Sequence, residues 1–136
     1  MYAPHPSVFG EIAATVEQEV RLSPSDYSMP ASTVTEMEKI GLDKDIIEKV
    51  LGPRGNIIKL SEAGAKLSPD MTDRAVRVLR IANLAEKVFR NSSKAMTWLH
   101  LPNEVLGARP MDLLVRETGA TLVEEALLRI NHSVVA

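Results

Sequence analysis

The 136-residue sequence contains no cysteine. That removes disulfides, thiolate metal sites and cysteine nucleophiles together, and it suits a reducing, cytoplasmic location. Aromatic residues make up only 4%, namely Tyr2, Phe9, Tyr27, Phe89 and Trp98. A base-stacking platform for single-stranded nucleic acid needs more than that. No apolar run approaches the ~20 residues that cross a bilayer, so no membrane partner is expected. The opening Met1-Tyr2-Ala3-Pro4-His5-Pro6 has neither the basic nor the apolar stretch that begins a secretory signal. What is present is the balance of a folded chain: 45% hydrophobic and 25% charged residues exclude disorder over the whole length. The length fits one ordinary domain, or two very small ones sharing a core.

The net charge of −2 hides an uneven distribution. Residues 1–50 carry 4 Lys/Arg against 9 Asp/Glu, residues 51–94 carry 9 against 4, and residues 95–136 carry 3 against 5. A basic middle between acidic flanks points either to an anionic partner for the middle or to a solvated helix face. Catalysis is not expected. The three histidines, His5, His100 and His132, have no metal ligand at a useful spacing, so no metal site and no cofactor is implied. His100 ends a helix, where capping is its default role. Gly52-Pro53-Arg54-Gly55 lacks the lysine and the preceding strand of a phosphate-binding loop. The carboxylate pairs Glu124-Glu125 and Asp43 with Asp45 read as solvated charge.

The periodicity is helical throughout, with no sustained alternation and no internal repeat. The expected fold is an all-α small helical bundle. A first helix runs from about Val8 to Leu22, with Ser7 as N-cap and Val8, Ile12, Val16 and Val20 on one stripe. Residues 23–32, with two prolines and four serines, read as a linker. Residues 1–32 therefore form an N-terminal helix and linker whose stripe docks on the domain or pairs with a second chain, making it the candidate dimerisation element. Thr33-Val34-Thr35-Glu36 has the form of a capping box and opens a short helix ending at Gly41. A third helix begins near Asp43 and stops at Gly52-Pro53, and a fourth covers roughly Asn56 to Ala65. Ser68-Pro69-Asp70 is a strong start for a long helix reaching about Arg90, apolar over so much of its girth that it reads as central. Asn91-Ser92-Ser93 caps a helix over Lys94 to Leu99. Pro110 to Glu117 is read as helical, and a last helix over Ala120 to Ile130 is followed by a tail, residues 131–136.

Two short helices joined by a tight glycine-containing turn match a helix-turn-helix in size and order, within a middle region of residues 33–90. Its second helix offers Arg54, Asn56, Lys59 and Lys66 as candidate DNA-binding residues, Arg54 and Asn56 being the ones placed to read bases. Arg77, Arg80 and Lys87 on the long helix fall near one face as a possible basic ridge for phosphates.

Residues 91–136 carry a specific pattern. It comprises the Trp98-Leu99 pair, the Pro102-Asn103 turn, the Leu106-Gly107…Pro110…Leu113-Leu114 block, the Thr118-Gly119-Ala120 step and an amphipathic helix with a short tail. This run closely resembles the toxin-binding domain of the Xre/MbcA/ParS antitoxins, and residues 33 to 90 resemble that family's Xre-like region more loosely. Asn56-Ile57-Ile58-Lys59 stands where family members often carry several arginines, and Ser133 where a glycine is common. The resemblance implies the antitoxin of a type II toxin–antitoxin module. Its partner would be a RES-domain toxin that acts on NAD, neutralised by covering the active site. Operator DNA bound in autorepression, and a homodimer within a hetero-oligomeric complex, are implied with it. On that basis the helix from Ala120 packs on the toxin and the tail reaches the pocket. The candidate toxin contacts are Arg109, Arg116, Arg129, Asn131, His132, Ser133, Val134, Val135 and Ala136. Trp98, Pro102, Gly107, Pro110 and Gly119 are assigned to architecture. A transcriptional regulator without a toxin partner, and an antitoxin that binds only protein, remain the alternatives.

Overall fold

A computed structural model describes residues 8–135, with side chains from Phe9 to His132. Among the described residues seven α-helices follow one another: α1 Val8–Leu22, α2 Ala31–Lys39, α3 Lys44–Leu51, α4 Arg54–Glu62, α5 Pro69–Phe89, α6 Ser92–His100 and α7 Glu117–Val135. A 3-10 helix over Pro110–Val115 precedes α7. The architecture is the expected all-α bundle, and among the described residues no β-strand occurs, only isolated bridges.

α5 is the central helix. The Ser68 hydroxyl accepts from the Met71 amide at its start, and Pro69 occupies the first turn, where its missing N–H costs nothing. Ala75, Val78, Leu79, Ile81, Ala82 and Ala85 are buried, and α1, α3, α6, α7 and the 3-10 helix all touch it. Small alanines at three of these positions let several helices approach closely. α2 and α4 pack on each other beside α3 and complete the helix-turn-helix-like half.

The N-terminal helix does not stand apart. Phe9, Ala13 and Val16 are buried, and α1 lies along α5. Full burial of a phenylalanine alone is worth about 2–3 kcal/mol. The start of α1 is capped across the fold: the Phe9 amide donates to Oε1 of Glu86 at 3.0 Å, and Glu86 is only 5% exposed. A carboxylate is well placed at a helix N-terminus, where unpaired amides carry partial positive charge. Ser7, the cap expected from the sequence, lies outside the described residues. The linker is pinned as well. Met29 is buried, its amide donates to the Thr72 hydroxyl, and the Leu67 amide donates to the Met29 carbonyl. Of the apolar stripe that suggested dimerisation through α1, Val16 is buried against the chain's own core while Ile12 and Val20 are half-buried.

Other boundaries shift for local reasons. α2 begins at Ala31, two residues before the expected capping box, with Pro30 at the N-cap position and no side-chain cap, and the Thr35 hydroxyl donates to the Ser32 carbonyl instead. α4 starts directly after Pro53 at Arg54 rather than at Asn56. Residues 110–115 form the tighter 3-10 helix, not an α-helix. The largest difference is at the C-terminus. α7 begins at Glu117 and continues to Val135, so the expected tail is helical through that residue. Asn131-His132-Ser133 suggested an end, yet no glycine or proline occurs there, and polar or β-branched residues cost a helix only a few tenths of a kcal/mol each.

Candidate functional site

The C-terminal region is assembled on α5. α6 is capped by Asn91, whose side chain accepts from the Lys94 amide, and it buries Ala95 and Leu99. Trp98 is half-buried and its ring lies 5.9 Å from that of Phe89 at 44°, an architectural role. Nδ1 of His100 donates to the Met96 carbonyl at 2.7 Å, holding the last turn of α6, as its position at the helix end suggested.

The loop after α6 is a closed unit. Oδ1 of Asn103 accepts from the Leu106 amide, its carbonyl accepts from Gly107 and its amide donates to the Ala108 carbonyl. Gly107 sits at φ 75°, a conformation that favours glycine. The loop holds up Val105, which is 83% exposed, beside exposed Leu101. The loop's own hydrogen bonds keep this aliphatic side chain in solvent.

α7 has two faces. Ala120, Val123 and Leu127 are buried against the core, and half-buried Asn131 continues this inner row. Leu122, Glu125, Arg129 and His132, at spacings of three and four, form an outer row that is exposed, joined by exposed Leu128. The structure therefore separates Asn131 from Arg129 and His132. Ser133, Val134 and Val135 lie in the same helix, and Ala136 is outside the described residues. Arg116 is exposed between the 3-10 helix and α7.

Arg109 is drawn elsewhere. Its Nε and Nη2 hold Asp112 at 2.9 and 2.8 Å, and Lys49 of α3 reaches the same carboxylate at 2.9 Å. The Arg109 hydrogen bonds, with Lys49 in support, bring the Asp112 carboxyl down to about 2 against the opposing effect of burial. In turn Asp112, with Asp43 and Asp45 beyond it, raises the Arg109 value. Arg109 and Lys49 thus meet on Asp112 and tie the 3-10 helix to α3.

In the helix-turn-helix-like half the candidate DNA contacts also divide. Arg54 is engaged in a two-pronged ion pair with Glu38 of α2, Nε to Oε1 at 2.9 Å and Nη2 to Oε1 at 2.6 Å, and the side chains are 32% and 15% exposed. That pair holds α4 to α2, and its hydrogen bonds raise the Arg54 value. Asn56, Lys59 and Lys66 are exposed. The expected basic ridge on α5 does not form. Arg77 and Arg80 both bond Glu117, and Lys87 is left without them. Sequence spacing put those arginines on one face but contained no signal for the acid that meets them 37 and 40 residues later. Among the described residues no group of three His, Asp or Glu could hold a metal ion, and no helix is long and apolar enough to cross a membrane.

Comparison with known proteins bears on this region directly. The family described as the antitoxin Xre/MbcA/ParS C-terminal toxin-binding domain matches residues 84–132. The antitoxin Xre of Pseudomonas putida is 41% identical over 70 residues, covering 51% of this chain and 44% of that protein. The antitoxin Xre of Yersinia enterocolitica is 27% identical over 129 residues, covering 80% of this chain and 87% of that protein. The matched stretch thus spans less than half of the first relative and most of the second. The matched residues begin inside α5 and take in the Asn103 loop, the 3-10 helix and both faces of α7. The chain is therefore similar to the Xre/MbcA/ParS antitoxins, through the matched toxin-binding domain at residues 84–132 and through these two relatives.

Proposed function

We propose that this chain is the antitoxin of a type II toxin–antitoxin pair, and that it neutralises a RES-domain, NAD-consuming toxin by covering its active site. The observation that carries the reading is where the exposed apolar side chains lie. Among the described residues Leu101, Val105, Val115, Leu122 and Leu128 all fall within the family-matched stretch, and Leu22 alone falls outside it. Apolar side chains gathered on one region of a small protein mark a protein-binding surface. The outer row of α7 adds Arg129 and His132, and Arg116 flanks its start. Arg109 makes a contact only by sharing or leaving Asp112, so its part in toxin binding is the smallest. The last turn of α7 is assigned to the mouth of the toxin's NAD pocket, with Ala136 as a further candidate contact.

The test is co-expression of the tagged chain with the neighbouring reading frame. A stable complex that hydrolyses no NAD until it is dissociated supports the reading; absence of a complex overturns it. Replacement of Arg129 and deletion of residues 131–136 are each expected to weaken neutralisation. Unchanged toxin affinity in both removes the C-terminal contribution.

Autorepression through the 33–66 region is a second part of the proposal, and one observation favours the rival in which the antitoxin binds only protein. Arg54, one of the two candidate base-reading residues, is committed to Glu38. Operator binding then rests on Asn56, Lys59 and Lys66. An operator titration over salt decides: each lost phosphate contact lowers the slope by about 1.

A further inference from the structure

The arginines expected to face an anionic partner are used inside the fold, at the junction that launches α7. Nε of Arg77 donates to Oε2 of Glu117 at 2.9 Å, and Nη2 of Arg80 donates to Oε1 at 2.7 Å. Nη1 of Arg77 also donates to the carbonyls of Leu114 and Val115, at 3.1 and 2.9 Å. Those carbonyls close the 3-10 helix, and Glu117 is the first residue of α7. One guanidinium therefore satisfies the last acceptors of one helix and, through Glu117, grips the first turn of the next. Only a planar fork spans three acceptors in this way; a lysine head would serve one or two of them. The Arg77 side chain is 14% exposed, so these bonds are partly shielded from water. The turn is tight as well, because a Cβ at Gly119 would overlap the Leu113 carbonyl.

We infer that Arg77, Arg80 and Glu117 form a positioning clamp that fixes the direction in which α7 leaves α5, and so pre-orients the outer row of α7 for the toxin. The inference rests on the reading of α7 as the toxin-facing helix. A helix held in its binding direction loses less freedom when its partner arrives, and affinity gains accordingly. The clamp grips the first turn alone, so releasing it tilts or frays the N-terminal part of α7 while the Ala120–Val123–Leu127 row keeps the helix on the core. Both arginines act on the toxin through Glu117 and α7, not by touching it.

The test uses the full chain with R77M, R77K, E117Q and the R77M/E117Q double variant. Three quantities are read: thermal midpoint, hydrogen exchange of the Thr121–Val123 amides, and dissociation constant for the co-expressed toxin. In R77M and E117Q those amides are expected to exchange about tenfold faster while the α2–α4 amides keep their rates, and the toxin dissociation constant is expected to rise about tenfold. The double variant is expected to be no worse than the worse single, since both break one unit. R77K is expected to recover less than half of the loss. Parent-like exchange in both single variants overturns the clamp. So does unchanged toxin affinity alongside faster exchange. If R77M fails to fold, the isosteric E117Q decides, because Glu117 is 56% exposed and carries little of the core. If the parent chain binds no toxin, faster exchange in E117Q still confirms that the clamp sets α7, and it is the proposed function that fails.

Discussion

Gly119 and Gly55 lie near the starts of two helices, and the same substitution at each is expected to act in opposite directions. Alanine is the better helix former by up to about 1 kcal/mol, so Gly→Ala in an unobstructed helix stabilises. Gly55 in α4 has nothing within 4 Å of where its Cβ would stand. Gly119 in α7 would place a Cβ against the Leu113 carbonyl oxygen, 2.9 Å from its carbon and 3.1 Å from the Leu113 Cβ. The carbonyl is backbone, and it must retreat by roughly 1 Å to regain van der Waals distance. The same segment carries the Leu114 and Val115 carbonyls that Arg77 holds at 3.1 and 2.9 Å, so the retreat strains two charge-assisted hydrogen bonds. Weakening two such bonds outweighs the gain in propensity, for a net cost of about 2–3 kcal/mol. Gly55→Ala is expected to add about 0.5–1 kcal/mol. For a chain of this length the Tm shift is about 3–4 °C per kcal/mol. Paired urea and thermal unfolding curves measure both. A Gly119→Ala variant as stable as the parent would refute the claim that the 3-10 helix and α7 meet in backbone contact.

Glu86→Ala removes the cap on the Phe9 amide and leaves a cavity beside α1, and a loss of about 2–4 kcal/mol is expected. Limited proteolysis, with the first new cut in α1, is the readout. Asp112 is held down at about 2, and its unfolded value is near 3.8. Because the folded value is the lower one, the contribution is fully present above pH 4 and is lost as pH falls through about 2. Allowing for its partial exposure, Asp112→Asn is expected to cost about 1–2 kcal/mol at neutral pH and to flatten the stability profile between pH 4 and 2. Urea midpoints across that range would show a parallel profile if the tie were inert. Arg90 closes α5 in the left-handed conformation, φ 55° and ψ 27°. Arg90→Gly is therefore expected to stabilise by about 0.5–1 kcal/mol, and a lower unfolding midpoint would mean that the arginine side chain contributes more than its strain costs.

The helices that announce themselves by caps were legible: Ser68-Pro69-Asp70 for α5, Asn91 for α6, and the breadth of the α5 stripe for its central place. The C-terminal region was legible through its resemblance to the Xre/MbcA/ParS antitoxins, because Pro102-Asn103, Gly107, Pro110 and Gly119, which carry that resemblance, are also the residues that bend the chain there. The end of α7 was not legible, since a helix stops for want of tertiary support as often as for want of propensity, and residues 131–135 lack a breaker. Nor was the docking of α1, where the partners are Phe9 and Glu86, 77 residues apart. An isolated amphipathic pattern says only that a stripe is buried somewhere. The outer row of α7 was found in part: Arg129 and His132 were named but Leu122 and Leu128 were not, because residue types alone do not divide the leucines of a helix between its two faces.

The distribution of cations decides how far the nucleic-acid reading extends. Counted along the chain, residues 51–94 look like a basic strip suited to phosphate. In the fold, Arg54 is spent on Glu38, Arg77 and Arg80 on Glu117, and Arg74 lies 2.8 Å from Asp70. Each of these pairs stitches one helix to another or to its own first turn. Two of them draw acids from outside the basic stretch, Glu38 and Glu117, and so cancel the asymmetry that the count displays. The cations left exposed in the 51–94 stretch are mainly lysines, Lys59, Lys66 and Lys87, which act as flexible point charges and not as base-reading forks. A surface of that kind supports salt-sensitive, weakly selective contact with DNA more readily than recognition of one operator. Sequence selectivity, where this chain has any, then comes from Asn56 or from the geometry with which an assembled complex presents two such faces. Replacing Asn56 is the substitution that separates these sources: loss of operator preference at an unchanged salt slope assigns the reading to the side chain, and no loss assigns it to the assembly.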